Sequence, residues 1–211
     1  MKKKIIVLIA SLLLICLITF SGRLIPGDIV YALRFALIVL INLLNGAVAL
    51  VAIKITGIKI GVELANWKSY LIGLGVALVL SFFIAFLPAL LGFSLVGDHV
   101  DFAWEYFFLN LFFYMIIVGP VEELIFRVYV QETFIGFFTK YKWVAIIIAS
   151  ALFGLWHFIN NGDLAQVLFT FGIGLVFGFV KYFIKECKYV GVAFTHGLYD
   201  FLNVIVQFFV V

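Results

Sequence analysis

Long apolar runs separated by short polar breaks dominate this chain. The runs fall at 5–21, 29–53, 68–91, 103–138, 143–159, 163–184 and 189–210. A helix needs about 20 apolar residues to cross a bilayer, and most of these runs have that length. They lack the strict alternation of barrel strands, so helices are the spanning element they predict. The expectation is an all-α polytopic membrane protein of about seven spans, forming one membrane domain over 1–211. The breaks carry the residues that end helices: Pro26-Gly27, Gly57, Pro88, Gly92 and Asn161-Gly162. The run 103–138 is too long for a simple crossing and contains Gly119-Pro120. Proline removes a backbone donor and kinks a helix. A single kinked, tilted crossing is preferred over two helices meeting at a turn, because it keeps Lys140 and Lys142 beside the other lysines.

Composition sharpens this picture. The chain is 66% hydrophobic and 12% charged, against roughly 45–50% and about 25% for a soluble domain. The lipid bilayer is therefore its solvent. The lysines cluster between runs: Lys2–Lys4, then Lys54, Lys59 and Lys68, then Lys140 and Lys142, then Lys181, Lys185 and Lys188. Threaded through seven spans, all of these fall on one side, and only Arg23 and Arg34 lie toward the other. The positive-inside rule then puts the N-terminus in the cytoplasm and the C-terminus outside. The small net charge of +3 is no nucleic-acid signal. The first run resembles a signal sequence but lacks a strong cleavage site, so an uncleaved span is expected. Cys16 and Cys187 make neither a disulfide framework nor a zinc pattern. Gly174 and Gly178 form a small-xxx-small face suited to close helix packing.

Among the polar residues within the apolar spans, six stand out: Glu122, Glu123, Arg127, His157, His196 and Asp200. A charge at the bilayer centre costs at least about 2.5–3.5 kcal/mol, so such residues pair or serve a site. Glu122 lies 18 residues before Lys140, roughly 27 Å along a helix. His157 lies 15 residues after Lys142, roughly 22 Å in. His196 and Asp200 follow Lys188 by 8 and 12 residues, roughly 12–18 Å. Three spans thus carry polar groups to comparable depths. Glu123 and Arg127 are spaced i,i+4, as are His196 and Asp200, so each pair shares a helix face. Glu122 is turned about 100° from Glu123.

These residues also form a recognisable set. Glu122-Glu123-Leu124-Ile125-Phe126-Arg127 resembles the EExxxR motif of the CPBP intramembrane proteases, the CAAX-protease and bacteriocin-processing (Abi or Rce1-like) family. Phe153-Gly154-Leu155-Trp156-His157 is similar to its FxxxH motif, and His196-Gly197-Leu198-Tyr199-Asp200 to its HxxxN/D motif. Many members have Asn in place of Asp200. The motifs place the catalytic core at about 103–211, after N-terminal helices at 1–102. The resemblance implies an intramembrane endopeptidase acting on a membrane-embedded, prenylated or leader-bearing peptide, and the low-GC flavour of the sequence suggests a bacterial peptide-processing or self-immunity role.

The chemistry of the residues agrees with such an activity. Amide hydrolysis needs an activated water, a stabilised oxyanion and a proton for the leaving amine. Glu122 is the candidate base, His157 its partner in orienting water, and His196 an oxyanion donor with Asp200 fixing its ring or acting beside it. Glu123 and Arg127 form a structural ion pair. Glu122, His157 and His196, with Asp200 in reserve, also offer zinc donors with a position left for water. The absence of a compact HExxH spacing favours the metal-free version. The competing readings are a proton- or ion-coupled transporter and a catalytically silent immunity or scaffold relative. A transporter often carries matching broken helices in two halves, whereas these polar residues all lie in the second half.

Overall fold

A computed structural model describes residues 2–62, 64 and 66–211, with Asn160 and Asn161 through their backbone only. Met1, at the head of the expected N-terminal basic cluster, lies outside the described residues, as do the side chains of Asn160 and Asn161 at the expected Asn161-Gly162 break. Among the described residues, seven helices are long and apolar enough to cross a membrane. They are α1 (Lys2–Leu24), α2 (Tyr31–Thr56), α3 (Trp67–Leu90), α4 (Trp104–Phe137), α5 (Lys142–Ile159), α6 (Leu164–Phe183) and α7 (Tyr189–Phe209). No strand occurs among the described residues. The chain is a multi-pass, all-α integral membrane protein, as the run lengths predict.

Exposure follows the solvent. Large apolar residues such as Ile6, Leu17, Phe83, Ile116 and Leu168 face outward on the helices, as a lipid-facing surface requires. Trp67 and Lys68 sit together at the start of α3, the ammonium 6.0 Å from the indole centroid, in keeping with an interfacial anchor. The lysines collect at one end of the bundle: the starts of α1, α3, α5 and α7 and the ends of α2, α4 and α6.

Helix α4 is continuous through Gly119-Pro120, with its turns widened on both sides. Phe113–Val118 and Leu124–Val130 are π-helical and flank a short α-helical stretch, Gly119–Glu123. Pro120 supplies no N–H, and the turn before it takes the longer register, Gly119 N–H bonding to Tyr114 O. Gln131 N–H likewise bonds to Phe126 O after the second wide segment. The proline thus changes the turn geometry without dividing the crossing.

Helix α7 crosses α4 with backbone against backbone. A Cβ on Gly119 would lie 2.6 Å from Ala193 O and 2.7 Å from Gly197 N. One on Gly197 would lie 2.5 Å from Tyr114 O. Glycine at both positions is what allows the approach. The expected Gly174/Gly178 face packs in the same way. Cβ atoms there would meet Phe153 and Ser150 at 3.1 and 3.2 Å, and Ile146 at 2.6 Å, so α6 lies tight on α5.

Helix α1 docks into this core through polar contacts. Ser11 Oγ and Tyr129 Oη are 2.8 Å apart. Asn45 Nδ2 and Trp156 Nε1 both donate to Thr19 Oγ1, at 3.0 and 2.9 Å. Trp156 is therefore a buried packing residue with its N–H satisfied, rather than a lipid-facing one.

Candidate active site

The α4–α7 crossing decides where the polar residues go. Glu122 and Glu123 follow Gly119 by one turn, and His196 precedes Gly197, so the crossing brings them face to face. His196 Nδ1–H donates to Glu123 Oε1 at 2.9 Å. Glu123 Oε2 lies 3.3 Å from Arg127 Nε in an ion pair. The guanidinium also lies over the Phe153 ring, 4.9 Å from its centroid, a cation–π contact that suits a buried Arg. Gly174 leaves the room it needs, since a Cβ there would come 3.3 Å from Arg127 Nη2.

This geometry enlarges the expected role of the Glu123–Arg127 pair. It is a buried ion pair, and it also holds His196 from behind. Asp200 does not support the ring from that side. Its Oδ2 lies 3.3 Å from His196 Nε2, on the edge that also faces Glu122. Asp200 thus meets the ring at Nε2, as Glu123 meets it at Nδ1.

Helix α5 supplies the third wall. His157 Nδ1–H donates to Phe153 O at 3.0 Å, one turn back on its own helix. That bond fixes the ring and turns Nε2 toward Glu122 Oε2, 4.0 Å away. Glu122 Oε2 is also 3.6 Å from His196 Nε2. Both separations exceed a direct hydrogen bond, and a water about 2.8 Å from each of two such atoms spans a gap of this size.

Side-chain exposure orders the cluster by depth. Glu123 and Arg127 stand at 0%, His196 at 4% and Glu122 at 7%, while His157 reaches 17% and Asp200 21%. The ion pair is sealed behind the site, and three of the other four residues line a chamber of about 960 Å³, with His196 directly behind Glu122 and Asp200. Glu122, His157 and Asp200 line it directly, together with Tyr114, Asn45 and Asn203. Tyr114 is a site residue that spacing alone does not mark. It lies about two turns before Glu122 on α4, and nothing but the fold distinguishes it from the other tyrosines. The chamber's remaining walls include Arg23 at the end of α1, Arg34 at the start of α2, and Asp163 and Gln166 at the start of α6. These lie at the bundle end opposite the lysines.

Glu122 and the histidine Nε2 atoms are donor types that zinc accepts. Among the described residues, however, no group of three His, Cys, Asp or Glu side chains is placed to hold a metal ion. His196 Nε2 is engaged by Asp200, and a metal at Glu122 would have to compete with that contact.

Residues 104–202 match the model of a family described as type II CAAX prenyl endopeptidase Rce1-like. The match begins at α4 and contains all six polar residues of the cluster. No curated protein and no solved structure shows significant similarity to the chain.

Proposed function

Because the chain belongs, through residues 104–202, to the Rce1-like family of CAAX-type intramembrane proteases, we propose that it is a glutamate-type endopeptidase in which Glu122 and His157 share a catalytic water. The observation that carries this is the water-sized gap of 4.0 Å between Glu122 Oε2 and His157 Nε2, with His157 Nδ1 already committed to a backbone carbonyl.

The residues divide the work of amide hydrolysis. Water donates one hydrogen bond to Glu122 Oε2 and the other to His157 Nε2, which aims an oxygen lone pair into the chamber. Glu122 takes a proton as the oxygen attacks the peptide carbonyl carbon. The carbonyl oxygen becomes an oxyanion, for which the Tyr114 hydroxyl and the Nε2–H of His196, doubly protonated between the Glu123 and Asp200 carboxylates, are the donors at hand. Glu122 then gives its proton to the leaving amine, the C–N bond breaks, and the products are a carboxylic acid and an amine. Glu123 and Arg127 take no part in the bond changes; they hold His196 at Nδ1 so that Nε2 faces the chamber. Asp200 sets the other edge of the same ring.

The substrate in this reading is a membrane-associated peptide. A chamber of about 960 Å³ takes several residues of extended chain, and its polar floor suits a peptide backbone better than an acyl chain. Its mouth lies at the lysine-poor end, so under the positive-inside rule the peptide enters from the non-cytoplasmic side. The protease family speaks for this reading over a transporter.

The test is cleavage of membrane-inserted candidate peptides by purified protein beside Glu122→Gln and His157→Ala. Cleavage by the parent and its loss in both variants is expected; full activity in both would sink the assignment. Chelation separates the metal-free mechanism from a metal-dependent one. Activity is expected to survive exhaustive chelation, and activity lost to chelator and restored by zinc would contradict the glutamate-type mechanism.

A further inference from the structure

One face of α2 lines the chamber from mouth to floor. Arg34, Ile38, Ile41, Asn42 and Asn45 all border it, at the spacing of a single helical stripe. The floor end of the stripe is level with Glu122 and His157. Asn45 donates to Thr19 Oγ1, which also takes the N–H of Trp156, the neighbour of His157. A Cβ on Gly46 would lie 3.3 Å from Val121, the neighbour of Glu122. The mouth end is Arg34, exposed in the first turn of α2. Arg34 precedes Asn45 by 11 residues, so it stands roughly 17 Å above the floor. An extended peptide rises about 3.3 Å per residue, so about five residues span that distance.

The charges at this end of the bundle are sorted. Its two arginines, Arg23 and Arg34, both line the chamber, whereas Asp28, Asp98, Asp101 and Glu105 lie off the lining. Asp163 is on the lining, but it caps its own helix, with Oδ1 accepting from Ala165 N–H at 2.8 Å. Arg23 is turned to the end of α5, where Nη2 donates to Phe158 O at 3.2 Å. Among the described residues none hydrogen-bonds to or pairs with the Arg34 guanidinium.

We propose that Arg34 selects the substrate by pairing with an acidic side chain of the peptide, about five residues from the bond that is cut. A guanidinium forms two parallel hydrogen bonds to a carboxylate. Arg34 shares its helix face with Ile41 and Asn45, so it meets what enters the chamber; that favours a peptide carboxylate over a phospholipid headgroup. The inference rests on the peptidase reading for the bond that is cut. The distance and the charge come from α2 alone.

The probe is a membrane-inserted Ala/Leu peptide, capped at both ends, with a single Glu moved position by position to either side of the cut. With purified full chain, kcat/KM should peak when Glu is about five residues away, about 10-fold above the Gln counterpart. Arg34→Glu should reverse the preference, so that Lys at that position is favoured over Glu. A flat profile, or a Glu peak that persists in Arg34→Glu, would overturn the proposal. Binding is measured separately, by fluorescence anisotropy on the Glu122→Gln protein. The Glu peptide should bind about 10-fold tighter than the Gln peptide, and Arg34→Glu in the same background should abolish the difference. Tighter binding of the Glu peptide without any cleavage by the parent would fault the peptidase reading and uphold the Arg34 site; equal binding would overturn the site. A response only to an uncapped C-terminus at that distance would overturn the acidic side chain as the ligand. If Arg34→Glu changes the thermal response to phosphatidylglycerol and leaves the peptide profile as it was, the arginine serves a lipid headgroup and the proposal falls.

Discussion

Helices α3 and α4 are made from much the same residues. Each is rich in Leu, Phe and Ile, each contains a proline, and each includes a wide-turn segment: Phe82–Phe86 in α3, and Phe113–Val118 and Leu124–Val130 in α4. Pro88 sits near the end of α3, and Leu78, Val79 and Phe83 on that helix face outward. Pro120 sits mid-helix, and from Val121 through Val130 every residue is buried. Proline and widened turns therefore do not make a site. Helix α7 packs on both, and a Cβ on Gly73 of α3 would lie 2.6 Å from Thr195 Oγ1; the difference lies in the side chains each crossing brings together. Gly119 admits the backbone of α7, and that contact turns Glu122 and Glu123 toward His196. In α3, Gly75 has open space where a Cβ would go.

The contrast is sharpest at Glu122. Glu122→Gln keeps the size of the side chain and removes the base. It should lower kcat by up to about 10⁴-fold with little change in thermal stability, both measured on purified protein. Glu123→Ala attacks the layer behind. It strands a buried Arg127 and releases His196 Nδ1, so stability should fall by about 3–5 kcal/mol, read from denaturant unfolding in micelles. Unchanged stability would mean that the Glu123–Arg127 pair is not the anchor described above. Gly197→Ala tests the crossing itself. The added methyl would sit 2.5 Å from Tyr114 O, so a loss of about 1–3 kcal/mol is expected, with kcat falling up to ~100-fold as the histidine shifts. Gly75→Ala is the matched control in α3. It should change stability by no more than about 1 kcal/mol, in the stabilising direction, and leave cleavage untouched. A similar response from Gly75→Ala and Gly197→Ala would erase the distinction between the two helices.

Much of this was legible in the residues. The spans are readable because the bilayer sets a minimum apolar length, and the observed helices match the seven runs to within a few residues at most ends. The polar cluster is readable because Glu122, His157 and His196 have no other reason to sit so deep. Three features were not. Which face of His196 meets which carboxylate depends on the angle of the α4–α7 crossing, and no spacing within one helix encodes that angle. Glu123 therefore read as Arg127's partner alone, although it also holds the histidine. Tyr114 was invisible because a tyrosine in an apolar span is ordinary until the fold puts it beside Glu122. The continuity of α4 through Pro120 was anticipated, but the wide turns were not; they depend on where the proline's missing donor is absorbed.

The claim most exposed to test is that Glu122 and His157 hold one water together. A double-mutant cycle measures this directly: kcat/KM for the parent, Glu122→Gln, His157→Ala and the combined variant, on one cleavable peptide. Residues that act as a unit give non-additive losses. The account predicts that the combined variant is no slower than the worse of the two single variants. Losses that multiply across the two positions would show that Glu122 and His157 act separately, and would contradict the shared water on which the mechanism rests.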